Sequence, residues 1–291
     1  MRFTLLYITT TIFLFLAVGC DGKDEIVPSY IHIPETAVAE SSTFGSNSQN
    51  VEYVWLYADD QQIGVFELPA TVPVLVEGDA KITLRAGVKA NGSTYNLQQY
   101  PFYSFYSETI NFEATIVDTI RPLFTYRNET RVLLNNDFEE NDNFEVKFEE
   151  FATFARTNIG ENVFEGNYSG CMSLFGNEVD TLNTNILVGT ISSFDLNRDN
   201  YYYVEFDYQN NTEFEFFVAG KDGDGVRIDE GTLTIFKTED WSKLYINLTP
   251  TADIAEGGSG IQLVFRSVLP DTLANGKVCL DNIKLLEIPK I

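Results

Sequence analysis

The sequence predicts an all-β protein made of two sandwiches, a small one followed by a larger one. Three observations predict it. No stretch sustains the 3.6-residue apolar spacing of a long amphipathic helix, whereas aromatic and β-branched residues alternate with polar and acidic ones at a period of two. Gly, Asn and Asp cut these runs at short intervals, as turns between strands require. The chain has 291 residues, among them 23 Phe and 15 Tyr, and is long enough for two cores of ordinary size.

The strands are preceded by a leader, residues 1–19. Arg2 is followed by an apolar run from Leu5 to Val18 that ends on small residues. A basic start and a short greasy core mark a secretory signal. The run is shorter than the roughly 20 apolar residues a spanning helix needs. Leu16-Ala17-Val18-Gly19-Cys20 resembles the bacterial lipobox, which implies cleavage before Cys20 and its lipidation with acyl chains such as palmitate. Several acyl chains hold a protein at a membrane where one binds only marginally. Lys23-Asp24-Glu25 is similar to the surface-export signal of Bacteroidota lipoproteins. That resemblance implies an outer-membrane lipoprotein facing the cell exterior, and the plain reading of residues 20–28 is a solvated tether.

The first sandwich is expected over residues 29–126, with strands at Ser29–Ile33, Val51–Ala58, Ile63–Leu68, Lys81–Val88 and Thr109–Ile120. In Lys81–Val88 the residues Ile82, Leu84, Ala86 and Val88 share one face, and Lys81, Thr83 and Arg85 the other. Asp59-Asp60 between two strands reads as a hairpin turn. The stretch Val54 to Gly64, followed by Pro69, Pro73 and Glu77-Gly78-Asp79, resembles small immunoglobulin-like sandwiches of the PEGA type over about residues 51–90. Such a module implies a spacer or adhesion element near the lipid.

A linker over 127–134 leads to the second sandwich, 135–291. Its strands show Phe144/Val146/Phe148, Tyr202/Val204/Phe206/Tyr208, Phe214/Phe216/Val218, Leu244/Ile246/Leu248 and Ile261/Leu263/Phe265 at alternate positions. Asn136-Asp137-Phe138-Glu139, Gly166 to Leu174, Tyr203 to Tyr208, Asp240 to Tyr245 and Val278 to Leu285 follow in an order that resembles the galactose-binding-like jelly roll of many carbohydrate-binding modules. "LDNIKL" near the end is its most specific element. The resemblance implies a structural calcium held by Asp137 or Glu139 together with Asp281 and backbone carbonyls, against the plainer reading that Asp281 caps a turn. It also implies a core position for Trp241. Lys221-Asp222-Gly223-Asp224-Gly225 departs from the spacing of a calcium loop and reads as a hairpin turn.

Charge narrows the partners. The chain holds 43 Asp and Glu against 19 Lys and Arg. Cleavage removes only Arg2 among charged side chains, so the net charge falls from −24 to −25. Such acidity repels phosphate backbones and excludes nucleic acid as a partner class. Beyond Cys20, two cysteines remain in strand-like stretches. Cys171 and Cys279 read either as a bridge between adjacent strands or as two small buried hydrophobes.

Catalysis finds little support. His32 is the one histidine, no Gly-x-Ser-x-Gly elbow is present, and a zinc site would lack nitrogen ligands. Acid pairs such as Glu139-Glu140 are uninformative in so acidic a chain. The protein is therefore expected to be no enzyme. Tyr201 and Tyr203, on the strand face opposite Tyr202, are the expected platform for a sugar. Tyr95 to Tyr106 is uncharged and aromatic, with Tyr100, Phe102, Tyr103, Phe105 and Tyr106 as candidate contacts for a partner. The same loop reads equally as folding back over the first sandwich and burying its own rings. Thr119, Thr181 and Thr272, each after Asp, fit the O-glycosylation acceptor pattern of Bacteroidota. The reading these features support first is a non-catalytic accessory subunit of an outer-membrane β-barrel complex for transport, secretion or protein insertion. The second is a glycan-binding surface lipoprotein using the jelly roll.

Overall fold

Twenty-one strands, one short α-helix and a single 3-10 turn (Gly160–Asn162) account for the regular structure of the computed structural model, which describes residues 27–140, 143–176, 184–221, 223–225 and 227–290. The leader, Cys20, Lys23, Asp24, Glu25 and Thr181 lie outside the described residues. Among the described residues no helix is long and apolar enough to cross a membrane.

The first sandwich contains β1 (Ser29–Ile33), β2 (Ala37–Val38), β3 (Tyr53–Ala58), β4 (Gln61–Glu67), β5 (Ala70–Val74), β6 (Gly78–Lys89), β7 (Leu97–Gln99), β8 (Tyr106–Phe112), β9 (Val117–Thr119) and β10 (Leu123–Phe124). One sheet runs β4-β3-β6-β7, with β8 also on β6; the opposite layer is β5-β1-β9 together with the pair β10-β2. Alternation sets which side chains meet. Ile82, Leu84, Ala86 and Val88 of β6 join Val54 and Leu56 of β3 in a core closed by Ile31, Ile33, Val72 and Val74. Asp59 and Asp60 have φ of 46° and 65°, the left-handed pair that a two-residue hairpin needs. The single strand expected over Thr109–Ile120 is instead two, β8 and β9. Thr115, at φ 69°, reverses the chain between them, and β9 pairs with β1, not β6.

The second sandwich contains β11 (Arg131–Asn136), β12 (Phe144–Glu150), β13 (Ala152–Thr157), β14 (Ser169–Phe175), β15 (Asn185–Thr190), β16 (Asn200–Asn210), β17 (Phe214–Lys221), β18 (Arg227–Ile235), β19 (Thr238–Asn247), β20 (Ile261–Val268) and β21 (Asn275–Pro289). A helix, α1 (Thr249–Ala255), lies between β19 and β20, with a proline in its first turn. The sheet β13-β14-β21-β16-β19, with β11 on β21, faces the sheet β12-β15-β20-β17-β18. Phe206, Phe216, Phe265 and Leu285 fill the space between them; the Phe206 and Phe265 rings meet edge to face at 5.3 Å. The phenylalanine at 138 packs over Gly170, where a Cβ would come within 2.4 Å of its ring.

Three expectations need correction here. The linker is shorter than 127–134, because Arg131 already pairs with Glu287 in β11–β21. Val146 and Phe148 do not follow Phe144 into the core: β12 is the edge strand of its sheet, its register shifts between the two residues, and they are 37% and 49% exposed. Trp241 is not a core residue either. It stands on the outer face of β19 beside Phe164, ring centroids 5.4 Å apart. Cys171 and Cys279 face each other across β14 and β21 and are joined by a disulfide, Cα to Cα 4.1 Å.

β21 sits at the centre of its sheet and serves both cores. Val278, Leu280, Ile283 and Leu285 point into the second sandwich, whereas Leu286 and Ile288 join the core of the first. Both Leu280 and Ile283 face the core because a bulge intervenes: Asp207 pairs with Asp281, Glu205 pairs with Lys284, and Asn282 takes a left-handed φ of 48°. Around Tyr203, Glu205, Leu286 and Ile288 the outer face of this sheet is therefore covered by the first sandwich rather than by water.

Candidate functional site

The surface between the two sandwiches is built on β16. Tyr202, Val204 and Phe206 point into the second core. Alternation sends Tyr203, Glu205 and Asp207 the other way, onto the first sandwich, where all three are buried. The loop after β7 supplies the opposing side. Tyr100 is ringed by Tyr103 at 4.7 Å, Tyr245 at 5.0 Å and Tyr203 at 5.4 Å, all edge to face.

Charge is buried beneath these rings. Glu205, with 0% exposure, accepts hydrogen bonds from the hydroxyls of Tyr100 and Tyr126 and pairs with Lys243 at 3.3 Å. Lys243 also lies 3.7 Å from Asp207, whose carboxylate accepts from Ser48 at 2.6 Å and Asn282 at 3.1 Å. Lys284 donates to the Ser46 carbonyl at 2.7 Å and to the Tyr126 hydroxyl at 3.4 Å. Burial alone would push Glu205 up, but Lys243, Lys284 and the Tyr100 hydroxyl outweigh it and hold the carboxyl below its usual range. Burial, reinforced by Glu205, pushes the Tyr100 and Tyr126 hydroxyls far up, so both stay protonated donors. Lys284 is drawn down to about 8, chiefly by burial. The turn after β6 closes the contact: Asn91 N–H donates to the Tyr245 carbonyl at 2.8 Å, and Asn247 N–H to the Asn91 side chain at 2.9 Å.

Above this floor a cleft of about 440 Å³ opens between the sandwiches. Tyr100, Tyr103 and Tyr203 form its base. Its walls carry two exposed rings, Tyr201 at 37% and Phe105 at 57%, together with Gln98, Gln99, Asn247, Arg85 and Arg127. These groups are held in place. The Gln98 side-chain oxygen accepts from Asn247 at 3.0 Å and from the Tyr203 hydroxyl. Arg85 lies between the Tyr57 and Phe105 rings, 4.4 and 4.2 Å from their centroids, and donates to Gln99 at 3.2 Å. Arg127 donates to the Pro101 carbonyl at 3.4 Å. Rings with a free face beside fixed planar donors and acceptors suit a polyhydroxylated ligand, whose C–H faces stack and whose hydroxyls need partners. A larger cavity of about 570 Å³ includes Gln209, Asn211, Lys237 and Lys277 among its lining, but no aromatic ring lines it.

The structure redistributes the residues singled out in the sequence. Of the two courses open to the aromatic loop, Tyr100, Phe102 and Tyr103 take burial rather than a partner surface: at 3%, 0% and 2% exposure they lie inside the chain, where the second sandwich covers the loop. Phe105 remains exposed and Tyr106 is half-buried on β8. The tyrosine pair is divided: Tyr201 stays open at the cleft, and Tyr203 is buried at its base. The expected metal ligands each accept hydrogen bonds from within the chain. Glu139 accepts from the Asn167 and Tyr168 amides at 2.6 and 2.9 Å, and the Asn167 bonds hold its carboxyl below the usual range. Asp137 caps the Glu139 amide at 3.1 Å. Asp281, 1% exposed, accepts from Ser169 at 2.6 Å and the Asn282 amide at 2.8 Å. Among the described residues no group of three or more His, Cys, Asp or Glu is placed to hold a metal ion. His32 meets Thr71 across β1 and β5 at 2.9 Å. Thr119 and Thr272 are both exposed.

Gln98, Gln99, Arg85, Arg127 and Asn247 were not anticipated. The one signal that pointed to a covered sheet face was Lys284-Leu285-Leu286-Glu287-Ile288, apolar on both faces where a half-exposed strand would alternate.

No family model matches the chain, and no curated protein matches it. Among solved structures, it is similar to the CBM22-1 xylan-binding domain from Paenibacillus barcinonensis Xyn10C (15% identity, TM-score 0.40, 57% of this chain and 99% of that one). It is also similar to the family 11 carbohydrate-binding module from Clostridium thermocellum in complex with a β-1,3-1,4-mixed-linked tetrasaccharide (16%, 0.38, 54% and 94%). TmCBM61 in complex with β-1,4-galactotriose is a third (13%, 0.33, 52% and 90%).

Proposed function

We propose that the protein is a membrane-tethered, non-catalytic glycan-binding protein whose sugar site is the cleft between its two sandwiches. The observation that carries this reading is the wall of the cleft. Tyr201 and Phe105 offer ring faces next to the fixed amides of Gln98, Gln99 and Asn247, over a base of buried tyrosines. Tethering comes from the lipobox at Cys20, and display on the cell surface from Lys23-Asp24-Glu25. The non-catalytic character is supported by the histidine content: His32 alone, engaged with Thr71. The accessory-subunit reading relied on Tyr100, Phe102 and Tyr103 as an outward surface, and the chain itself encloses those three side chains.

The test is a glycan array of neutral and acidic polysaccharides probed with the full mature protein, then with Tyr201→Ala and with Tyr201→Ala/Phe105→Ala. A stacking ring is worth about 0.5–1.5 kcal/mol. Loss of Tyr201 should therefore weaken retention up to about tenfold, and loss of both rings further. A wild-type protein that retains no glycan sinks the proposal. Retention that survives the double substitution unchanged places the sugar elsewhere.

A further inference from the structure

We infer that the saccharide taken by this cleft is acidic, its charge carried as carboxylate or sulfate; the inference rests on the glycan-binding reading. The whole chain has more than twice as many acidic as basic side chains, yet the cleft lining holds two arginines and no carboxylate. Glu205 lies beneath the base, fully buried and balanced by Lys243. Glu129 is exposed, and its carboxylate sits 3.6 Å from the Arg127 Nε.

Both guanidinium groups keep donors to spare. A guanidinium carries five N–H donors. Among the described residues, the Arg85 group makes one hydrogen bond, from Nη1 to Gln99, and its Nε has no partner. Two rings clamp it, so little side-chain freedom remains to be lost on binding. Arg127 donates Nη1 to the Pro101 carbonyl, and its Nε forms an ion pair with Glu129 at 3.6 Å. A third positive charge, Lys290, stands 5.9 Å from the centroid of the Tyr201 ring. Neutral sugars require none of this. A carboxylate or sulfate oxygen on the sugar would meet fixed, charge-assisted donors in a protein whose other surfaces repel it.

The experiment is affinity electrophoresis of the full mature protein in matched polymers: polygalacturonate against its carboxyl-reduced product, and dextran sulfate against dextran. At least one acidic polymer should retard the protein at a concentration about tenfold lower than its neutral counterpart does, with the preference shrinking as salt rises. Arg127→Gln should abolish that preference, and Arg121→Gln, outside the cleft, should leave it intact. Arg85→Lys keeps the charge but loses the fork, so it should weaken acidic retention more than neutral retention and narrow the preference; it also stands in should Arg127→Gln fail to fold. Polymers retained equally in both forms overturn the inference and leave the glycan reading standing. Failure of all four polymers, together with an empty array, removes both.

Discussion

Replacing Glu205 by Gln probes the balance of charge between the sandwiches with almost no change of shape. Glu205 is fully buried, as is Lys284, and the Lys243 side chain is 2% exposed. The substitution leaves Asp207, at 3.7 Å, as the acid paired with Lys243, and leaves Lys284 hydrogen-bonded to the Ser46 carbonyl and the Tyr126 hydroxyl with Asp207 and Glu165 as its remaining acidic neighbours. Removing one partner of a buried ion pair costs about 3–5 kcal/mol, mostly from the charge left behind. The folded-to-unfolded ratio should fall by roughly a hundredfold to several thousandfold. Urea unfolding followed by tryptophan fluorescence measures it, and the chain supplies one reporter per sandwich. Trp55→Phe leaves Trp241 to report on the second sandwich, and Trp241→Phe leaves Trp55 for the first. Because the network joins the two cores, both reporters should lose stability together. Adding Lys243→Met should cost less than the two single effects combined, by about 0.5–3 kcal/mol. A loss under about 1 kcal/mol for Glu205→Gln, or strict additivity in the double variant, would refute the charge-balance argument.

Two further predictions concern stability. The disulfide closes a span of 108 residues, for which the chain-entropy model gives about 4–5 kcal/mol, so Cys171→Ala/Cys279→Ala should lose several kcal/mol in urea, and an unchanged midpoint would show the bridge to be dispensable. Burial raises Asp281 to about 7, against the pull of Ser169 and the Asn282 amide. Its native pKa thus lies above its unfolded one, and the stability it contributes is full at low pH and lost as pH rises toward and through 7. Between pH 5 and 7.5, below the value of about 8 for Lys284, the wild type should lose about 2–3 kcal/mol relative to Asp281→Asn; parallel pH profiles would contradict this.

The strand pattern was legible wherever one face met a core and the other met water. Ile82, Leu84, Ala86 and Val88 read correctly, and so did the Asp59-Asp60 turn, because each depends only on neighbours along the chain. Glu205 and Asp207 show why the rest was hidden. An acid between apolar residues on a strand normally faces solvent, and nothing local says that another layer will cover it. The aromatic loop carried both possible fates in its composition, and the second sandwich decided between them. The cleft is assembled from β6, β7, β16, β19, the end of β21 and the segments after β7 and β10, elements up to about 200 residues apart, so no spacing rule could gather its arginines and amides.

The placement of β21 has a consequence for the order of events in biogenesis. It follows every other strand in the chain, yet it is the central strand of its sheet, lends Leu286 and Ile288 to the first sandwich and carries one half of the disulfide. While residues 275–289 are still being synthesised, neither core has its full complement and Cys171 has no mate. The nascent chain should thus stay protease-sensitive across both halves until β21 has emerged.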